Sequence, residues 1–238
     1  MTEQDDPRLT GEHIRTVRDQ GSEITLVGVV HDHPASVYRA AAVVRERTSD
    51  ILALELAPMA ISLFEEFAQD ADVPPTAGGE MSAAIQATET DTIVGIDGPS
   101  LPFLRLLLAR FRDDPPAMKT ILEISSELLI ASYRTVRERL VGTLTRRTPL
   151  HVERQASRQY SVDQWDDPVS QASDESIQLQ RAQAVWASLI PPSGTQLRDQ
   201  IREDHMVQQL QTLQRQGDVV AIVGHGHLDG LTHQLSAN

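Results

Sequence analysis

The chain has 238 residues, and its 40% apolar content is enough to bury an ordinary core in one large domain or two small ones, which excludes disorder throughout. Its 34 acidic against 21 basic side chains leave a formal charge of −13, with Lys119 the only lysine, a balance that repels a phosphate backbone and argues against nucleic acid. With no cysteine, disulfides, a thiolate nucleophile and Cys-ligated zinc are excluded, so any metal must be held by His, Asp, Glu or water.

Met1 to Thr10 is polar and acidic, unlike a basic segment followed by an apolar leader. No run reaches the roughly 18 apolar residues of a membrane span, and the best, Leu101 to Phe111, contains Arg105 and Arg110. The expectation is a cytoplasmic protein without a transmembrane segment. Ile24 to Val30 is a short β-branched run that reads as a strand buried on both faces, with His31 directly after it. Tyr38 to Arg47 has helical spacing, and Ser49-Asp50 breaks it before a second strand, Ile51 to Leu56, which carries Glu55 near its end. Pro58 suits the first turn of a helix reaching about Gln69, and Pro74-Pro75 with Gly78-Gly79 marks a loop. A helix from about Met81 to Thr88 leads to a third strand, Thr92 to Ile96, then Asp97 and a helix over Leu101 to Phe111.

Ala117 to about Leu140 is again helical in period. The Arg-rich stretch from Arg134 to Arg158 also holds Glu138 and Glu153 and reads as a solvated face. Arg146 to Asp174 is polar with little periodicity and reads as a long excursion or mobile lid within a single domain whose core spans about residues 24 to 233. Helices resume over Glu175 to Ser188 and Gln196 to Gln216, Gly217 stops the second, and a last strand, Val219 to Val223, runs into Gly224-His225-Gly226-His227. This alternation predicts an α/β fold, a mostly parallel or mixed central sheet with helices packed on it, whose ligands gather beyond the carboxyl ends of the strands. His31, Glu55, Asp97 and His227 stand at those expected ends.

A strand followed by Gly-x-x-His occurs near both ends of the chain, at Gly28 to His31 and Gly224 to His227. With 13 Gly and 8 His, chance gives about 0.4 such matches, so one is uninformative and two after strands are not. A third, Gly230 to His233, has no strand before it. Glycine lets backbone approach a site while the strand aims the imidazole, and two neutral imidazoles with a carboxylate suit a divalent metal such as Mn, Co or Zn that activates water. Each residue also has a plainer role. Either His is equally a hydrogen-bonded structural residue, Glu55 in its apolar strand could be half of a buried ion pair with a helix Arg, and Asp97 could cap the next helix. His33 and His225 stand beside the better candidates as outer donors or solvent-facing groups, and Arg202-Glu203-Asp204 reads most simply as a charged surface turn. No Gly-x-Ser-x-Gly elbow, phosphate loop, dinucleotide fingerprint or His-Glu-x-x-His helix occurs.

Taken in order, Leu26-Val27-Gly28-Val29-Val30-His31, Ala53-Leu54-Glu55-Leu56, Gly95-Ile96-Asp97-Gly98-Pro99, Arg202-Glu203-Asp204-His205-Met206 and Ala221 to Gly230 resemble the motifs of the TraB/PrgY family. That family is grouped with Tiki proteins, GumN and, more distantly, erythromycin esterase and ChaN. The resemblance implies a metal-dependent hydrolase, peptidase- or esterase-like, in which His31, Glu55 and His227 hold or activate a metal-bound water. It also implies Arg202 as an oxyanion or substrate-carboxylate anchor and Asp97 and His225 as ligand-binding residues. The alternative is a non-catalytic regulatory module of the pheromone-shutdown type that binds a peptide or small molecule, with homo-oligomerisation left open. Two departures favour that alternative: Leu56 to Ala60 lacks the acid and Arg that the family carries after the Glu, and Gly98 stands where an Arg is common.

Overall fold

Each of the four apolar runs becomes a strand of one sheet in the computed structural model, which describes residues 6–19, 21–118, 120–121, 160–188 and 193–237. In chain order the elements are β1 (Ile14–Asp19), β2 (Ser22–Val29), α1 (Pro34–Glu46), β3 (Ile51–Leu54), α2 (Ile61–Ala68), α3 (Gly79–Ala87), β4 (Ile93–Gly95), α4 (Leu101–Asp113), α5 (Pro168–Ser188), α6 (Ser193–Gln214), β5 (Val219–Gly224) and α7 (His225–Ser236). The sheet has the order β1-β2-β5-β3-β4. Only β1 runs antiparallel, and β2, β5, β3 and β4 are mutually parallel. The fold is thus α/β with a mostly parallel mixed sheet. Among the described residues, no helix is long and apolar enough to cross a membrane.

Helices cover both faces, which is why these strands are continuous apolar runs without an alternating pattern. Leu26, Ala53, Ala221 and Val223 pack with Met206, Leu210, Leu228 and Leu231 of α6 and α7. The opposite side chains, Val27, Leu52, Leu54 and Ile222, pack with Ala40, Val43, Met81 and Ala84 of α1 and α3. Each fully buried Leu or Ile in these layers contributes about 1.5–3 kcal/mol. The β1 edge strand has no counterpart among the sequence expectations, because Arg15, Arg18 and Asp19 interrupt its apolar residues. It exists by pairing with β2 across a turn at Gly21, whose φ of +95° suits glycine, and its charges discourage further strands from adding.

α5 starts seven residues before the expected helix, so the part of the Arg146 to Asp174 excursion from Pro168 onward is helical. The expected helix over Ala117 to Leu140, the Arg134 to Arg158 stretch and the rest of the lid before Tyr160 lie largely or wholly outside the described residues. Residues 168–175 are helical for a reason that apolar periodicity misses, since what docks them is polar. Glu175 is fully buried and pairs with both terminal nitrogens of the fully buried Arg39 of α1, while Ser36 donates its hydroxyl to the same carboxylate. Arg39 also donates to the Gly28 carbonyl at 3.0 Å. Nearby, Gln171 accepts from Arg8 at 3.1 Å, and Asp174 receives the ring of His33 at 3.2 Å.

Burial pushes the Glu175 carboxyl up, but the Arg39 guanidinium and the Ser36 hydroxyl outweigh it and hold the group below the usual carboxylate range. A carboxyl depressed in the folded state stabilises above its unfolded value, and that stabilisation is lost as pH falls through it. Unfolding stability should therefore drop on acidification below about pH 4.3 and do so less in Glu175→Gln. Glu175→Ala strands the Arg39 charge and should cost about 3–5 kcal/mol, most of it recovered in the double variant Arg39→Met/Glu175→Leu. Urea unfolding of the single and double variants checks this, and equal losses in both would show that the pair does not dock α5.

Candidate functional site

The strand order explains why residues from opposite ends of the chain meet. β5 lies between β2 and β3 with Val29 opposite Gly224 and Leu54 opposite Ile222. The carboxyl ends of three adjacent strands thus deliver His31, Glu55 and His227 to one edge. A methyl group placed on Gly224 would lie 3.3 Å from Glu55 Oε2 and 3.8 Å from His31 Nε2, so both groups flank the same point. From the other side His227 Nε2 is 3.6 Å from Glu55 Oε1. Gly224 passes directly into α7 without a loop, which puts His227 in the helix's first turn.

Glu55 is the centre of this edge. Its Oε1 accepts from Arg202 Nη2 at 2.8 Å and its Oε2 from the Gly224 N–H at 2.6 Å. Arg202 also donates Nε and Nη2 to the two oxygens of Asp97, at 3.0 and 2.6 Å. Burial works against the Arg202 charge, but hydrogen bonding and charge from Asp97, with Glu55, overcome it and raise the group above its ordinary value.

Each imidazole is held from behind by a second glutamate. His31 Nδ1 lies 2.6 Å from Glu80 Oε1, and the other oxygen of Glu80 accepts the Asp32 N–H at 2.9 Å. Asp32 adopts φ +60°, a left-handed conformation uncommon for a non-glycine residue, and so turns the chain between His31 and α1. His227 Nδ1 lies 2.9 Å from Glu203 Oε1. A carboxylate on Nδ1 fixes the tautomer with the proton there and leaves Nε2 facing the site as a lone pair, or as N–H when the ring is charged. The hydrogen bond that His31 donates to Glu80 dominates and raises the ring above the ordinary histidine value, with further help from Glu55 and Asp32. Burial lowers His227, but Glu203 and Glu55 more than compensate and leave it raised.

Small residues make these contacts sterically feasible. A side chain on Gly230 would come within 2.7 Å of Glu203 Oε2, so the bare helix turn admits that carboxylate beside His227. The two Gly-x-x-His glycines are not equivalent. Gly224 opens the site, whereas a methyl on Gly28 would meet Leu228 at 2.8 Å, so Gly28 makes room for α7.

Of the sequence candidates, His31, Glu55, His227, Asp97 and Arg202 come together, and His225 does not join them. Its ring packs edge-on against His13 with centroids 5.4 Å apart, and burial lowers its basicity. His33 is not solvent-facing but fully buried; its Nδ1 accepts the Ala35 N–H, capping α1, and its Nε2 faces Asp174. Asp97 does not cap α4, because Ser100 does, accepting the Phe103 N–H at 3.2 Å. Arg202 and Glu203 face the site and do not form the simple surface turn that their sequence suggests. Arg202 is the helix arginine that pairs with Glu55. Glu80, the partner of His31, carries no distinguishing sequence signal, since an acid in a helix's first turn is ordinary.

A metal held by His31, Glu55 and His227 would have to share Glu55 with the donors it already has. Both oxygens of Glu55 already have donors, and a dication bound at Oε1 would crowd the Arg202 guanidinium. Among the described residues no group of three His, Asp or Glu is placed to hold a metal ion. A hollow at the opposite end of the sheet, lined by Arg18, Asp19, Gly21, Ser22, Glu23 and Asp218, has no imidazole, and Arg18 there is paired with Glu23. Compared with protein families, curated proteins and solved structures, the chain matches none.

Replacing Glu80 by Gln should lower the raised His31 titration, and Glu203→Gln should lower that of His227, each without moving the other ring. Gly230→Ala should reproduce the Glu203→Gln effect by displacing the carboxylate. Imidazole Cε1–H shifts followed against pH give the answer, and a His31 titration unchanged in Glu80→Gln would refute the assigned hydrogen bond.

Proposed function

We propose that this edge hydrolyses an ester or amide bond by general acid–base catalysis with His31 and His227. One observation carries the reading, namely two imidazoles, each held at Nδ1 by a glutamate, that present Nε2 to a common carboxylate. The neutral ring takes a proton from water at Nε2 as the water oxygen bonds to the carbonyl carbon. The charged ring gives its Nε2 proton to the departing oxygen or nitrogen as the carbon–heteroatom bond breaks. Glu55, fixed by Arg202 and Gly224, stabilises the imidazolium in either role. The resemblance to TraB/PrgY and erythromycin-esterase relatives points to the same reaction class.

Arg202 takes a different part from the one its motif suggests. With its guanidinium shared between Asp97 and Glu55, it positions the site and does not anchor a substrate carboxylate. That commitment is also what favours the regulatory alternative, in which a peptide or small molecule is bound and not cut.

Chromogenic esters and peptide anilides should be turned over with a bell-shaped pH dependence whose two apparent values belong to the histidine pair. His31→Asn and His227→Asn should each lower kcat by about 10²–10⁴-fold while the fold survives. A chelator should leave the rate unchanged. Loss of rate in chelator with recovery in Mn, Co or Zn would reinstate the metal-dependent reading. Peptide binding with no turnover in any member of the panel would favour the regulatory one.

A further inference from the structure

The groups around the imidazoles are strongly unbalanced in charge. Among the described residues, Glu80, Glu55 and Glu203 lie against His31 and His227 and Asp97 lies against Arg202, four carboxylates to one guanidinium. Asp32 adds its field on the His31 side, and Asp199 on the Arg202 side is paired with Arg198. Two features that usually draw an anion into such an edge are already used. The guanidinium gives its Nε and Nη2 donors to Asp97 and Glu55, and the Gly224 N–H at the start of α7 goes to Glu55 Oε2. Even with both imidazoles charged, the carboxylates outnumber the cations. His31 is the open side of the site, its side chain 55% exposed, so an incoming molecule enters past it and into this field.

We propose that the site selects by charge, accepting a substrate that presents an uncharged or cationic group beside its scissile carbonyl and rejecting one that carries a carboxylate or phosphate there. The hydrolytic reading supplies only the position of the scissile bond; the charge selection follows from the four carboxylates and the doubly committed guanidinium. The substrate class is therefore a neutral ester, lactone or amide, or one bearing an amine or guanidine. The source of the selectivity is local. Asp97 neutralises the face of Arg202 that would otherwise meet an anion, so Asp97→Asn should uncover positive charge at the same edge.

Acetate, acetamide and acetamidinium have nearly the same planar shape and differ in charge, so they separate charge from fit. Their binding is read on the full chain from the imidazole Cε1–H shifts of His31 and His227, assigned with His31→Asn and His227→Asn. The pH is chosen from the rings' own titration so that both are neutral. Acetamidinium should bind tightest and acetate at least about tenfold more weakly. Asp97→Asn should narrow that gap by strengthening acetate, and Glu203→Gln, which removes a different carboxylate, should narrow it in the same direction if the first variant does not fold. Acetate binding as well as acetamidinium, or no ordering among the three including no shift with any, overturns the proposal. Matched neutral, amino-bearing and carboxylate-bearing p-nitrophenyl esters form the second arm. The charge order kept without cleavage of any ester defeats the hydrolase reading and leaves charge selection standing, whereas cleavage with the carboxylate-bearing ester preferred defeats charge selection alone.

Discussion

The Glu55 carboxylate ties together the elements that form the site. It closes β3, accepts the Gly224 N–H at the point where β5 becomes α7, and receives Arg202 from α6, which in turn clasps Asp97 beyond β4. A carboxylate so deep at the end of an apolar strand is tolerable because each of its oxygens has a donor, one charged and one backbone.

The two histidines differ in how they are held, and this difference divides the labour of the edge. His31 follows β2, just ahead of a left-handed residue, and leans on the buried Glu80 at the head of α3, with its outer side open to solvent. His227 sits in the first turn of α7 against Glu203 of the neighbouring helix and is largely enclosed. Proton exchange with bulk water is therefore easier at His31, while His227 is the better insulated store of charge. In both, the backing carboxylate does in the second layer what rigid packing does elsewhere, fixing the ring so that Nε2 has one direction.

The α/β pattern and the strand-end residues were legible because they follow from local apolar runs and from turn residues placed directly after them. His31, Glu55, Asp97 and His227 could be listed together since each stands where a strand ends. The β1 strand was not legible, because its charged residues hide a ladder that only pairing with β2 reveals. The early start of α5 escaped for a related reason, since buried Gln171, Asp174 and Glu175 look like surface residues until Arg39 and His33 are seen opposite them. Glu80 and Glu203 were hidden by distance in sequence: nothing local tells an acid bound to a histidine from one bound to water. His225 went the other way, since closeness to His227 suggested a shared site, whereas two helical positions turn its ring toward His13.

The central place of β5 has a consequence for synthesis. Ile24 of β2 pairs with Val219 of β5, so the middle of the sheet waits for a strand near the end of the chain. Until β5 leaves the ribosome, β2 and β3 each carry an unpaired ladder of N–H and C=O groups along the edge they will later share with it. Such long-range parallel pairing is slow, and the nascent chain is exposed to strand addition by its neighbours in the interval. Polypeptides released before β5 thus not only lack His227 but are templates for aggregation, and a chaperone that shields the β2 and β3 edges has its purpose in that window.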